Sequence, residues 1–239
     1  MDAITSLKRD LATANHILAH EGVVDGYGHV TMRHPGRADR FFMSRSRSPA
    51  LVSTDDIMEF DLDCNPIDQG GRPIYAERPI HGAIYKARPE INAVVHNHAH
   101  EVLPYTVTEV KLRPMIHVAG LIGGEIPVWD IADRFGSETD LLVRTNEQGD
   151  DLARCLGPNS VVLMRGHGAT VAGASLKEAV LAAVYLMVNA KLQAEAMRFG
   201  TVKYLSAGEI KSTGATSASP LSLDRVWEYW AARADAGAK

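Results

Sequence analysis

Apolar residues Ile4, Leu7, Leu11, Ala14 and Leu18 recur at spacings of three and four, so residues 3–21 are predicted to form an amphipathic helix stopped at Gly22. From Gly22 to Pro66 the rhythm changes. Short apolar stretches (Val30-Thr31-Met32, Phe41-Phe42-Met43, Ile57-Met58-Glu59-Phe60) alternate with Gly, Pro, Asn and Asp, the signature of strands joined by turns. A helix is expected over 79–88, ending before Pro89, and then a strand over 91–98 whose Ala93-Val94-Val95 run suits a central position. Short strands are expected near 115–119 and 126–129, a helix over 146–156, and a buried strand at 161–164 ending at Arg165-Gly166. The longest helical stretch, 175–199, stops at Gly200. Residues 212–219 are rich in Ser, Thr, Gly and Ala and read as a flexible linker. Beyond them Leu223, Val226, Trp227 and Trp230 share one helical face. The expected organisation is a main domain over 1–211, the linker, and a C-terminal helix over 220–239 that packs on its own or a neighbouring subunit. Helices at both ends with strands between them predict a layered α/β domain around a mixed sheet.

Composition narrows the function classes. The chain of 239 residues carries 25 Lys+Arg against 29 Asp+Glu, a net charge of −4 that offers no attraction for nucleic acid or an anionic membrane. No apolar run approaches the roughly 20 residues of a membrane span. Two cysteines, Cys64 and Cys155, exclude a disulfide-stapled scaffold. The start Met1-Asp2-Ala3-Ile4-Thr5 is unlike a secretory signal, and a cytoplasmic location is expected.

The chemistry lies in the histidines. Val95-His96-Asn97-His98-Ala99-His100 holds three of the ten. Residues two apart on a strand face the same way, so His96 and His98 would present two imidazoles side by side; by spacing alone, His98 and His100 would serve equally. A divalent metal takes about three or four ligands, so at least one more must come from elsewhere. His167, between Gly166 and Gly168 after a buried strand, is the natural candidate, although Gly-His-Gly also describes an ordinary turn.

Three stretches then fall in a familiar order: Ala76-Glu77-Arg78-Pro79-Ile80-His81-Gly82-Ala83-Ile84-Tyr85, Val95-His96-Asn97-His98, and Leu163-Met164-Arg165-Gly166-His167-Gly168. Together with Gly28-His29-Val30-Thr31 and Gly173-Ala174-Ser175-Leu176-Lys177-Glu178-Ala179, they closely resemble the class II aldolase/adducin family from the first helix to about Leu205. The resemblance implies an α/β/α fold with a mixed, largely antiparallel sheet. It also implies metal ligands at His96, His98 and His167, an acid/base carboxylate at Glu77, and a homotetramer with active sites at subunit interfaces. A C-terminal tyrosine from the neighbouring subunit would correspond to Tyr204.

The chain departs from the family's sugar-phosphate aldolases in two places. His29-Val30-Thr31 stands where those enzymes carry Asn-(Val/Ile)-Ser, and Tyr75-Ala76 stands where they carry a phosphate-binding serine pair. Two small hydroxyls have become a phenol and a methyl, which argues against a phosphorylated substrate. Arg45, Arg47, Arg78 and Tyr75 form a basic and aromatic set instead, suited to the bidentate binding of a carboxylate on a planar molecule. This pattern is similar to the family's branch of non-oxidative aromatic-acid decarboxylases. The resemblance therefore implies a lyase acting on a small hydroxylated aromatic dicarboxylate, best 3,4-dihydroxyphthalate. Alternatives are a hydroxypyridine dicarboxylate, or an aldolase or epimerase reaction on an unphosphorylated hydroxy-keto compound. An adducin-like binding module would have lost the ligands that are present here. The metal could be Zn²⁺, Mn²⁺, Fe²⁺ or Co²⁺. His29 and His117 are further candidates for orienting substrate or moving protons.

Overall fold

The structure, a computed structural model, describes residues 2–237. Its strands are β1 (His29–His34), β2 (Arg37–Ser44), β3 (Ile57–Asp61), β4 (Ala93–Asn97), β5 (Val128–Trp129), β6 (Val161–Met164) and β7 (Gly168–Gly173). The helices are α1 (Ala3–His20), α2 (Pro79–Ala87), α3 (Leu103–Thr106), α4 (Ala132–Phe135), α5 (Asn146–Leu156), α6 (Leu176–Phe199), α7 (Ala207–Ser217) and α8 (Pro220–Gly237). The seven strands form one sheet in the order β3-β2-β1-β4-β7-β6-β5, with every pairing antiparallel except β5–β6.

Helices cover both faces of this sheet. Leu7, Leu11 and Ile17 of α1 and Val180 and Val184 of α6 pack with Val30, Val95, Leu163 and Val171 on one face. On the other, Ile80 and Ile84 of α2 and Leu152 and Leu156 of α5 pack with Met43, Val94, Val162 and Ala172. Successive residues such as Val94 and Val95 therefore enter opposite core layers, which is why β4 reads as an unbroken apolar run. The α/β/α expectation holds. Local signals act as expected at the helix ends: the Asp2 carboxylate accepts from the Thr5 N–H at the start of α1, and the Ser175 hydroxyl accepts from the Glu178 N–H at the start of α6.

Two expectations need correction. Residues 115–119 are not a strand; His117–Ile122 is a 3₁₀ turn. The extended segment before it finds its hydrogen bonds on helix α6 instead of on a strand. The Asn189 side chain bonds Met115 N and Arg113 O, and Gln193 bonds Arg113 N and Lys111 O. The expected linker over 212–219 is helical through Ser217. Its small residues serve close packing: a methyl group on Gly120 would lie 2.2 Å from Thr213 Oγ1 and 2.6 Å from Gly214 N. Glu209 and Ser206 close a capping box at the start of α7. The C-terminal helix packs on its own chain. Trp230 is buried, its ring is 6.1 Å from that of Tyr185 in α6, and Arg233 pairs with Glu21 after α1. Residues 238–239 of the expected helix lie outside the described residues. Strand β7 has no counterpart among the sequence expectations. Among the described residues, no helix is long and apolar enough to cross a membrane.

Candidate active site and metal centre

The candidate site forms where β4, β7 and the start of α2 meet. Antiparallel pairing puts His96 opposite Thr170 and Asn97 opposite Ala169. The hairpin from β6 to β7 turns through Arg165-Gly166-His167, with Gly166 at φ +63°, a conformation glycine adopts without cost. The turn delivers His167 beside the end of β4. Glu77 comes from the opposite side, just before Pro79 begins α2, where the helix dipole favours a negative charge.

His96 Nε2 lies 3.0 Å from His98 Nε2, and His167 Nε2 lies 2.9 Å from the same atom. Strand β4 ends at Asn97, so His98 reaches the cluster from the following loop. His100 is exposed and stands apart, so the imidazoles brought together are those of His96 and His98. Glu77 Oε2 is 3.6 Å from His96 Nε2 and 3.5 Å from His167 Nε2, and Glu77 Oε1 accepts from the Val143 N–H at 3.1 Å. One donor atom from each of the four residues falls within 4.8 Å of the others.

The surroundings prepare these imidazoles as ligands. The Thr170 hydroxyl donates to Met164 Sδ and so accepts from His96 Nδ1–H, while His167 Nδ1–H donates to the Leu141 carbonyl at 2.8 Å. In their neutral form both rings then turn an unprotonated Nε2 toward the centre, as outer hydrogen bonds do for metal-ligating histidines. Unprotonated nitrogens about 3 Å apart repel, and a cation between them removes the conflict. Two bonds of about 2.1 Å meeting at a right angle put their nitrogens about 3.0 Å apart, so the donor set fits one divalent ion with positions left for substrate oxygens.

Electrostatics agree. Burial, reinforced by His96 and His167, pushes His98 down to about 3. Burial also lowers His96, against the pull of Glu77. For Glu77 burial acts upward, but the His167 and His96 imidazoles 3.5 and 3.6 Å away, once protonated, outweigh it and hold the carboxyl well below the usual range. His167 is raised because the Glu77 hydrogen bond and charge exceed the opposing effect of burial. The cluster is thus one carboxylate facing three imidazoles.

The other sequence candidates divide. His29, opposite His96 in the β1–β4 pairing, is buried with its ring 5.0 Å from that of His96 and 4.7 Å from that of Tyr75. The Tyr75 hydroxyl accepts from Arg47 N and donates to Arg47 O, tying the 45–48 loop to the site. Arg45 Nε and Arg47 Nη1 both bind the buried Asp56 carboxylate, at 2.5 and 2.9 Å. Arg78 turns away, donating to the Cys64 and Tyr75 carbonyls. His117 is exposed near Tyr185 and Arg225, and Tyr204 lies under the Arg113 guanidinium at 4.2 Å; neither contacts the cluster within the chain. Sequence reasoning missed Asp56 and a buried line of side chains behind His29, namely His81, Thr31 and Tyr85. The i, i+4 spacing of Glu77, His81 and Tyr85 was the available signal for two of them.

Known proteins resemble this chain over most of its length. Residues 9–194 match the Class II Aldolase and Adducin N-terminal domain. The decarboxylase tropJ of Talaromyces stipitatus is 37% identical, with 96% of this chain and 94% of that protein aligned. A 3,4-dihydroxyphthalate decarboxylase of Arthrobacter keyseri is 32% identical over 73% of this chain and 72% of its own length. An L-fuculose 1-phosphate aldolase from Glaciozyma antarctica superposes with a TM-score of 0.79 at 21% identity, covering 97% of this chain and 89% of that one; at that identity the likeness speaks for the fold.

Proposed function

The chain belongs to the class II aldolase and adducin family as a lyase, and on that premise we propose that it is a divalent-metal-dependent, non-oxidative decarboxylase of hydroxylated aromatic dicarboxylates. The proposed substrate is 3,4-dihydroxyphthalate, converted to 3,4-dihydroxybenzoate and CO₂. The observation that carries the reading is the complete His96, His98, His167 and Glu77 cluster beside Tyr75-Ala76, where a phosphate-binding serine pair would otherwise stand. The decarboxylase relatives support it.

His96, His98 and His167 would hold the cation, which when bound supplies Lewis-acid stabilisation of negative charge on a ring oxygen near the departing carboxylate. The remaining steps belong to the chain's own groups. Glu77, an ionised carboxylate at rest, enters as a base. Its Oε2 takes the proton of the substrate hydroxyl and returns it to the ring carbon bearing the carboxylate. The C–C bond then breaks, CO₂ leaves, and the bond's electron pair restores the aromatic ring. The phenolate regains a proton from water on release. Arg45 and Arg47, set by Asp56 and joined to the site through Tyr75, are the proposed clamp for the carboxylate that stays. Arg78 keeps the segment before α2 in place. His117 and Tyr204 would serve only from a neighbouring copy in a homotetramer.

The test is CO₂ release from metal-reconstituted protein offered 3,4-dihydroxyphthalate and a hydroxypyridine dicarboxylate separately. Release that stops with EDTA and returns with Zn²⁺, Mn²⁺, Fe²⁺ or Co²⁺ supports the reading and ranks the substrates. No release from either, with aldehyde formed from an unphosphorylated hydroxy-keto compound, replaces it with the aldolase reaction.

A further inference from the structure

Behind the metal cluster, a second polar line runs into the core on the α2 face of the sheet. His29 Nδ1 lies 2.7 Å from His81 Nε2, His81 Nδ1 lies 2.8 Å from Thr31 Oγ1, and Thr31 Oγ1 lies 2.8 Å from the Tyr85 hydroxyl. His29 is 3% exposed, Tyr85 1%, and Thr31 and His81 not at all. The outer nitrogen, His29 Nε2, has no partner among the described residues and is not one of the sealed polar atoms, so it is the open end of the line.

A count of protons fixes the direction. With both imidazoles neutral, the line has four mobile protons for three links. Suppose Tyr85 donates to Thr31, Thr31 to His81 Nδ1, and His81 Nε2–H to His29 Nδ1. The fourth proton then sits on His29 Nε2, facing the site. In the reverse direction, the Tyr85 proton is left over at the inner end. There the ring packs on Phe41 and under the Arg33 guanidinium, whose N–H groups donate to backbone carbonyls. Mixed directions strand the Thr31 proton instead. A stranded buried hydroxyl forfeits water without gaining a partner, so the inner-to-outer direction prevails.

We infer that Tyr85, Thr31 and His81 are positioning residues that hold His29 as its Nε2–H tautomer, presenting a fixed hydrogen-bond donor to an anionic oxygen of the aromatic acid beside the metal cluster. The inference rests on the decarboxylase reading for the identity of that oxygen, while the tautomer stands on the hydrogen-bond geometry alone. A donor locked from behind needs no reorganisation when substrate arrives.

The test uses protein labelled with ¹⁵N in its histidines, both metal-free and loaded with diamagnetic Zn²⁺. Long-range ¹H–¹⁵N correlations should show His29 protonated on Nε2 and bare on Nδ1. Tyr85→Phe removes the proton that sets the direction, and a tautomer mixture should appear. His81→Leu removes the link, and His81→Gln restores a donor from its side-chain amide. The KM for the aromatic acid should rise about tenfold or more in Tyr85→Phe and His81→Leu and recover in His81→Gln, with metal per chain unchanged. A wild-type His29 protonated on Nδ1, or a tautomer unmoved in both variants, overturns the inference. Absence of CO₂ release from the wild type, with the tautomer as stated, instead overturns the choice of reaction.

Discussion

Gly168 is the residue whose replacement most sharply tests the site geometry. It follows His167 and opens β7, and its φ is not in the positive region, so the backbone itself would accept alanine. The obstacle is steric. A Cβ built there lies 2.1 Å from the Asn97 carbonyl oxygen and 3.1 Å from His98 Cδ2. Carbon–oxygen contacts seldom close below about 3.3 Å, so β4 and β7 must separate locally by about 1 Å. Asn97 lies between two ligands, and His98 Nε2 is 2.9 Å from His167 Nε2, so the displacement falls on the ligand set. Metal sites tolerate about 0.2 Å. Gly168→Ala should therefore weaken metal affinity by at least about 10–100-fold, on the scale of losing an outer-sphere support. Crowding should also cost about 1–3 kcal/mol of stability. The assay is metal per chain at buffered free-metal concentrations, alongside a thermal melt. Gly173→Ala is the control, because its methyl would meet Ala179 N at 2.7 Å at the far end of the same strand. If Gly168→Ala binds metal as tightly as the wild type, or loses no more affinity than Gly173→Ala, the ligand geometry described here is wrong.

Glu77→Gln should keep its metal through the three histidines and lower kcat by about 10²–10⁴-fold; a retained kcat would transfer the proton role to another group. Asp56 provides a pH test. Burial acts upward on its carboxyl, but the bonds from Arg45 and Ser53 and the charge of Arg47 hold it well below the usual range. A depressed folded-state pKa stabilises fully above the unfolded value and loses that contribution as pH falls toward the folded value. Asp56→Asn should thus be about 2–3 kcal/mol less stable than wild type near pH 7, with the gap narrowing below about pH 4. A gap that stays constant to pH 3, by denaturant melts, would contradict the pairing.

Helices α1, α2 and α6 were legible because each joins helical patterning to a stop signal, at Gly22, Pro89 and Gly200. Strand β7 was not. Only Thr170 and Val171 of Gly168-Ala169-Thr170-Val171-Ala172-Gly173 are β-branched, and its glycine ends are crowded by Asn97 and Ala179. Its strand character comes from its neighbours. The linker reading failed for a related reason: small residues were taken as a sign of freedom where they permit helix α7 to approach the 117–122 turn. The candidate ligand histidines were visible as types at fixed spacing, yet only the structure separates His98 from His100, since that depends on where β4 ends. His81 sat within the most telling motif without an evident role. What makes it matter is Thr31, 50 residues away in sequence.

The position of β7 in the sheet has a consequence for how the chain is made. It is the last strand in sequence, but it lies between β4 and β6. Until it emerges, the nascent chain holds two separate sheet fragments, β3-β2-β1-β4 and β6-β5, each with a bare apolar edge able to pair with another chain. Closing that gap joins residues 72 to 80 positions apart, a slow step for chain entropy to allow. A polypeptide ending before residue 168 would therefore expose both edges at once, which makes the interval before β7 inserts the period of greatest aggregation risk in this protein's synthesis.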